Sequence, residues 1–208
     1  MDLPTPAFDF ADRPALPAGA DPAQWRCEVL LSRGSIGFGR LGESDLALRL
    51  VFAEGRLAGE FAQVFGSLAA EPIRVRGGLP GPDGRELPLD LRVEHAGFAD
   101  FLSVGDRMGE QHLKIRVGSP LLPDTCTIGD DADPIRLRPV RVGAHEVVSQ
   151  DPAVLRFTAA DTGFAVPAAR GGGRLDRVVN DVLGLPSPAG ANSVRLTTLV
   201  GLRKYSDF

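Results

Sequence analysis

One segment of this chain has the period of a helix, and nearly everything else alternates with the period of a strand. In GGGRLDRVVNDVLGLP, Leu175, Val178, Val179, Val182 and Leu183 fall on one helical stripe, with Arg174, Asp176, Arg177 and Asp181 on the other side. Gly184 stands where a C-terminal cap glycine belongs, and Pro186 blocks continuation. The pattern predicts a helix over residues 173–183, with Leu175, Val178, Val179 and Val182 buried against a sheet.

Elsewhere the period is two. WRCEVLLSR sets Trp25, Cys27, Val29 and Leu31 on one face, and DLALRLVFAEG keeps Leu46, Leu48, Leu50 and Phe52 in phase. HLKIRVG and SVRLTTLVGLRK alternate in the same way. GRLAGEFAQVFGSLA also fits a helix through Leu57, Phe61, Val64, Phe65 and Leu68, but Gly55, Gly59 and Gly66 would each cost it about 1 kcal/mol. Strands with a bulge are expected there. PIRVRGG and LPLDLRVEHAG read as two strands around a turn at Asp83-Gly84, and GFADFLSVGDRMG as a short helical turn or loop. Further short strands are expected near 126–128, 135–142, 145–148 and 154–158. The architecture that follows is all-β: an antiparallel two-sheet sandwich over residues 25–208 with one C-terminal helical insertion.

Residues 1–24 precede it as an extended arm, since Pro4, Pro6, Pro14, Pro17 and Pro22 exclude a helix or a central strand. Phe8 and Phe10, flanking Asp9, are its expected anchors. The arm is expected to run along a sheet edge of its own subunit or of a neighbour, which would make the chain a homo-oligomer or a filament. The N-terminal sequence has neither the basic start nor the apolar core of a secretory signal. No window reaches the ~18 apolar residues of a membrane span. A net charge of -4 supplies no global field for nucleic acid.

Chemistry-bearing motifs are sparse. Gly37-Phe38-Gly39-Arg40-Leu41-Gly42 matches G-x-G-x-x-G, but ESDLALRLVF after it alternates with period two instead of opening a helix, so a turn between antiparallel strands is expected. Asp130, Asp131 and Asp133 form a compact acidic loop that is a weak calcium candidate without the glycine and glutamate of an EF-hand. His95, His112 and His145 lie on separate strands without metal-ligand spacing, and no serine sits in G-x-S-x-G. No cofactor is expected. Cys27 and Cys126 are the only cysteines. Their even number and wide separation fit a disulfide closing a long loop; two buried reduced thiols are the alternative.

Two blocks carry a family resemblance. HLKIRVGSPLLPDTCTIGDDADPI contributes Pro120, Leu121, Leu122, Cys126, Ile128, Gly129, Pro134 and Ile135. The stretch from Phe164 to Asn192 contributes Phe164, Ala165, Pro167 and the run GLPSPAGAN. Together with PIRVRGGL they resemble an uncharacterised family of secreted proteins common in high-GC Gram-positive bacteria. The resemblance implies an extracellular or cell-surface location, while the absent signal leaves a cytoplasmic one open; it attaches no activity. Ser119, Pro123 and Thr127 depart from the family pattern, as does the missing cysteine before the helix. The function expected is therefore non-enzymatic: an exported or surface-associated structural or assembly protein, with a small-ligand module for apolar or glycan ligands as the alternative. An enzyme is disfavoured because no nucleophile–base pair is legible.

Overall fold

The computed structural model describes residues 8–208; the first seven residues of the arm lie outside the described residues. Eight strands carry the fold: β1 (Trp25–Gly37), β2 (Ser44–Leu57), β3 (Glu60–Ala70), β4 (Asp90–Val104), β5 (Arg107–Gly118), β6 (Glu146–Gln150), β7 (Ala153–Asp161) and β8 (Ser193–Lys204). β3, β2, β1, β8 and β7 form one antiparallel run, with β6 added beside β7. β4 and β5 form a long hairpin. The two-residue strand Val140–Arg141 joins the two parts, pairing with β7 on one side and with Arg107 on the other.

The described strands thus do not divide into two large sheets. Thirteen belong to one continuous ladder, and the second sheet is only the pair Leu79–Pro80 and Glu86–Leu87. The single sheet folds over, so that side chains of β1, β2 and β8 face those of β4 and β5 across a shared interior. Side chains close the open side between β3 and β4. Phe52 stacks on Phe101 with ring centroids 4.1 Å apart, Phe65 stacks on His95 at 3.9 Å, and the Phe101 N–H donates to Gln63 Oε1 at 2.9 Å.

The ambiguous segment after β2 is a hairpin. Leu57 pairs with Glu60 across a turn at Ala58 and Gly59, and Gly66 is the extra residue where the β2–β3 register shifts. GFADFLSVGDRMG is not a helical turn or loop. It completes β4 and enters β5, and two register shifts near Ala99 and Ser103 erase the alternation that would have marked it as strand.

The helix forms where the stripe predicts it, as a 3-10 turn (Gly173–Leu175) followed by α1 (Asp176–Leu183). Val179 and Leu183 are fully buried in the main apolar cluster, with Val178 and Val182 packed against it; Leu175, in the 3-10 turn, is half-buried. Gly184 takes the left-handed conformation of a C-terminal cap, φ 66°. Asn180 pins the helix by exchanging two hydrogen bonds with the backbone of Ala169, at 2.7 and 3.0 Å.

The described part of the arm lies over a face of its own sheet instead of along an edge. β1 sends Glu28, Leu30 and Ser32 inward and Cys27, Val29 and Leu31 outward, so its outer face is apolar and needs a cover. Phe8 and Phe10 supply that cover, packing with Tyr205 over Cys27, Val29 and Val51. The Phe8 ring sits directly on Gly201, where any side chain would collide with it. Asp12 accepts from Arg49 at 2.7 and 2.6 Å, and the Tyr205 hydroxyl donates to the Pro14 carbonyl at 2.6 Å.

This arrangement corrects the disulfide expectation. Both cysteines are free and buried, Cys27 under the arm and Cys126 in the main core beside the helix. Alternation sends Cys27 to the outer face of β1, out of reach of the interior that receives Cys126. Burial pushes both thiols up to about 11, and a protonated, enclosed thiol is a poor nucleophile. Native protein is therefore expected to take up thiol reagent at neither cysteine at neutral pH. Replacing Phe8 and Phe10 by alanine should expose Cys27 to labelling and leave Cys126 protected. Peptide mass mapping reads both; equal labelling of the two would show that the arm does not shield Cys27.

Candidate functional site: an apolar cavity inside the folded sheet

The interior holds a cavity of about 130 Å³. Strand register explains its wall. Successive even-numbered residues of β1, β2 and β8 point inward, and the ladders set Ser32 opposite Leu48 and Thr198, and Leu30 opposite Leu50 and Val200. Phe101, Met108, Leu113 and Leu137 close the opposite side, and Phe157 and Ala159 of β7 complete the wall.

Three buried polar side chains interrupt this surface. The Ser32 and Thr198 hydroxyls hydrogen-bond each other at 2.8 Å, both residues almost fully buried. Glu28 lies on the same inward phase, four residues before Ser32, and accepts from Arg26 Nε at 2.9 Å. Arg26 also pairs with Glu54, whose other oxygen accepts from Gln63 Nε2 at 3.3 Å. This network bridges β1, β2 and β3, and the Gln63 bond to Phe101 continues it to β4. Burial pushes the Glu28 carboxyl up to about 8; the neighbouring Glu54 charge adds to the rise and Arg26 opposes it.

The residues singled out by sequence lie elsewhere. Gly39 takes a left-handed φ of 52°, and a side chain there would collide with the Leu183 carbonyl. The Arg40 N–H donates to that carbonyl at 2.7 Å, and its guanidinium to the Asp181 carbonyl at 2.7 Å. The glycine-rich turn therefore caps the C-terminus of α1, whereas a phosphate loop needs a helix N-terminus. Asp130 Oδ1 accepts from the backbone N–H groups of Ala132 and Asp133, both at 2.8 Å, and Asp131 pairs with Lys114. Among the described residues no group of three or more His, Cys, Asp or Glu is placed to hold a metal ion. Register sets His95 opposite Leu113, next to His112, on neighbouring strands. His95 lies against Phe65, and burial lowers its pKa. His112 bonds Glu110, which also holds Arg138. His145 lies beside Arg141.

Neither the family models, nor the curated proteins, nor the solved structures contain a match to this chain. The second block of the sequence resemblance has a structural job. Asn192 is buried; its amide donates to the carbonyls of Phe164 at 2.8 Å and Pro188 at 3.0 Å, and its oxygen accepts from Ser187 at 2.6 Å. The GLPSPAGAN loop is thereby wound around one asparagine. Nothing in the sequence singles out Glu28, Ser32 or Thr198. Their signal is a polar phase in β1 and β8 that reads as a solvent face until pairing turns it inward.

Proposed function

We propose that this protein is a binding module for a small apolar molecule held inside the folded sheet. The supporting observation is the cavity itself. Protein interiors are close-packed, so an unfilled volume of about 130 Å³ lined mainly by apolar side chains is an exception that a ligand would repair. Its size is near that of dry cavities of about 150 Å³ that take up benzene. It is too small for a sugar, although Glu28, Ser32, Ser103, Gln111 and Thr198 put polar groups on its wall. Ala159 lies on the wall, so Ala159→Leu would fill the space. Benzene or xenon should raise the melting temperature of the native protein in a concentration-dependent way. Ala159→Leu should abolish that rise while the protein stays folded. No rise with either probe, or a rise that survives the filling substitution, overturns the reading.

The assembly role expected from the arm and the resemblance, at a cell surface or after export, keeps one supporting observation. β6 pairs only with β7 among the described strands, and its Val147 and Val148 are exposed beside exposed Val140 and Val142. A free apolar edge of this kind accepts another strand. The described arm contacts its own chain, so it lends that role no direct support. Native mass measured alongside the probe titration separates the two readings: a stable oligomer without probe binding favours assembly.

A further inference from the structure

The cavity wall carries a hydrogen-bond inventory that narrows its ligand. Ser32 and Thr198 each bring one hydroxyl proton. Their mutual bond uses one of the two, and among the described residues no side chain or carbonyl accepts the other. One donor is therefore left on a buried wall whose neighbours are Leu30, Leu48, Leu196 and Val200. An unpaired buried donor is costly, and a ligand that accepts from it recovers that cost.

We infer that the cavity is built for a small neutral carbonyl compound whose oxygen accepts a hydrogen bond from the Ser32–Thr198 hydroxyl pair. This rests on the proposal that the cavity binds small apolar molecules. A carbonyl needs one donor and brings none of its own, which matches one spare proton. A carboxylate would need a free cation, and the nearest one, Arg26, is already engaged by both Glu28 and Glu54. An ammonium would need a free acceptor of opposite charge, and both carboxylates are already bonded to Arg26. An alcohol can accept from the pair as well, but it brings a proton of its own that must find one of the remaining lone pairs on the wall, a second constraint that a carbonyl does not face. Sites that hydrogen-bond a ligand group reject the analogue lacking it more sharply than purely apolar sites discriminate by size.

The test uses three ligands of one shape: cyclopentanone, methylenecyclopentane and cyclopentanol, titrated by calorimetry into the full chain. Referred to transfer from hexane, so that the ketone's hydration is set aside, cyclopentanone should bind about tenfold more tightly than methylenecyclopentane. Its carbonyl stretch should shift to lower frequency on binding, relative to its position in hexane. Ser32→Ala combined with Thr198→Val should remove both the preference and the shift while methylenecyclopentane still binds. Equal binding of ketone and alkene on that scale overturns the carbonyl assignment and leaves the cavity reading intact, as does tighter binding of cyclopentanol. Binding of none of the three overturns both. The wild-type comparison and the infrared shift decide the matter even if the double variant does not fold.

Discussion

Val179→Asp is expected to unfold the protein or bring it close to unfolding. Val179 is fully buried in the main cluster, on the helix face that also carries Leu183. The carboxylate introduced there would have no cation within its own helix turn: Arg177, two residues back, points to solvent with a side chain 92 % exposed. Burying an unpaired charge and losing the isopropyl contacts together cost about 3–5 kcal/mol. That is a large share of the roughly 5–15 kcal/mol that stabilises a typical domain. Arg177→Ala on the opposite face should stay within about 0.5 kcal/mol of wild type. Denaturant melts of the two variants check the contrast. An unshifted midpoint for Val179→Asp would mean that the helix does not dock as described.

The second large effect is a fall in stability between about pH 4.5 and about 8 that centres on Glu28. Burial holds this carboxyl protonated up to about 8, whereas in the unfolded chain it ionises near 4.5. Between those values the folded state binds one more proton than the unfolded state, so stability falls as pH rises. The groups facing it are Arg26 on β1 and Glu54 on β2, with neutral Gln63 behind them. The contribution is fully present below about pH 4.5, declines through the neutral range and is gone above about 8. Its size is on the order of 5 kcal/mol. Glu28→Gln keeps an acceptor for Arg26 and carries no titrating proton. Relative to wild type it should be increasingly stabilising from pH 5 to pH 9, with little difference at pH 5 or below. Parallel curves for the two proteins across that range would show that Glu28 ionises normally. Asp12 acts in a separate window: its bonds to Arg49 hold it at about 2, so its contribution is lost only as pH falls from about 3.8 through 2.

Much of the secondary structure was legible because local rules suffice for it. The helix needs only its stripe and its Gly184 cap, and β1, β2, β5 and β8 need only alternation. The first half of β4 was legible in LPLDLRVEHAG, but its second half was not, because two register shifts break the period that identifies a strand. The closure of the sheet was not legible either. It depends on Val140–Arg141 bridging β7 to β5 and on Gln63 reaching Phe101, contacts between segments that show no mutual signal in sequence. The cavity failed for a subtler reason. Alternation correctly grouped Trp25, Cys27, Val29 and Leu31, but a strand with an apolar phase and a mixed phase gives no sign that both are covered. The arm covers the apolar phase from outside, and the mixed phase carrying Glu28 and Ser32 becomes the interior.

The position of β1 also bears on how the chain is made. Its partner on one side, β2, follows immediately, but its partner on the other side is β8, close to the last residue. Ser32 and Thr198, which touch in the finished molecule, are 166 positions apart. At about 5–20 residues per second, a ribosome needs on the order of ten to thirty seconds between delivering the first and the second. Throughout that interval the nascent β1–β2–β3 meander has an unpaired edge along β1, and the wall completed by Leu196, Thr198 and Val200 is missing. Such an edge recruits other strands, including those of neighbouring nascent chains. The emergence of residues 193–204 is therefore the step that commits the chain to its own fold, and truncation just before it should yield an aggregating product.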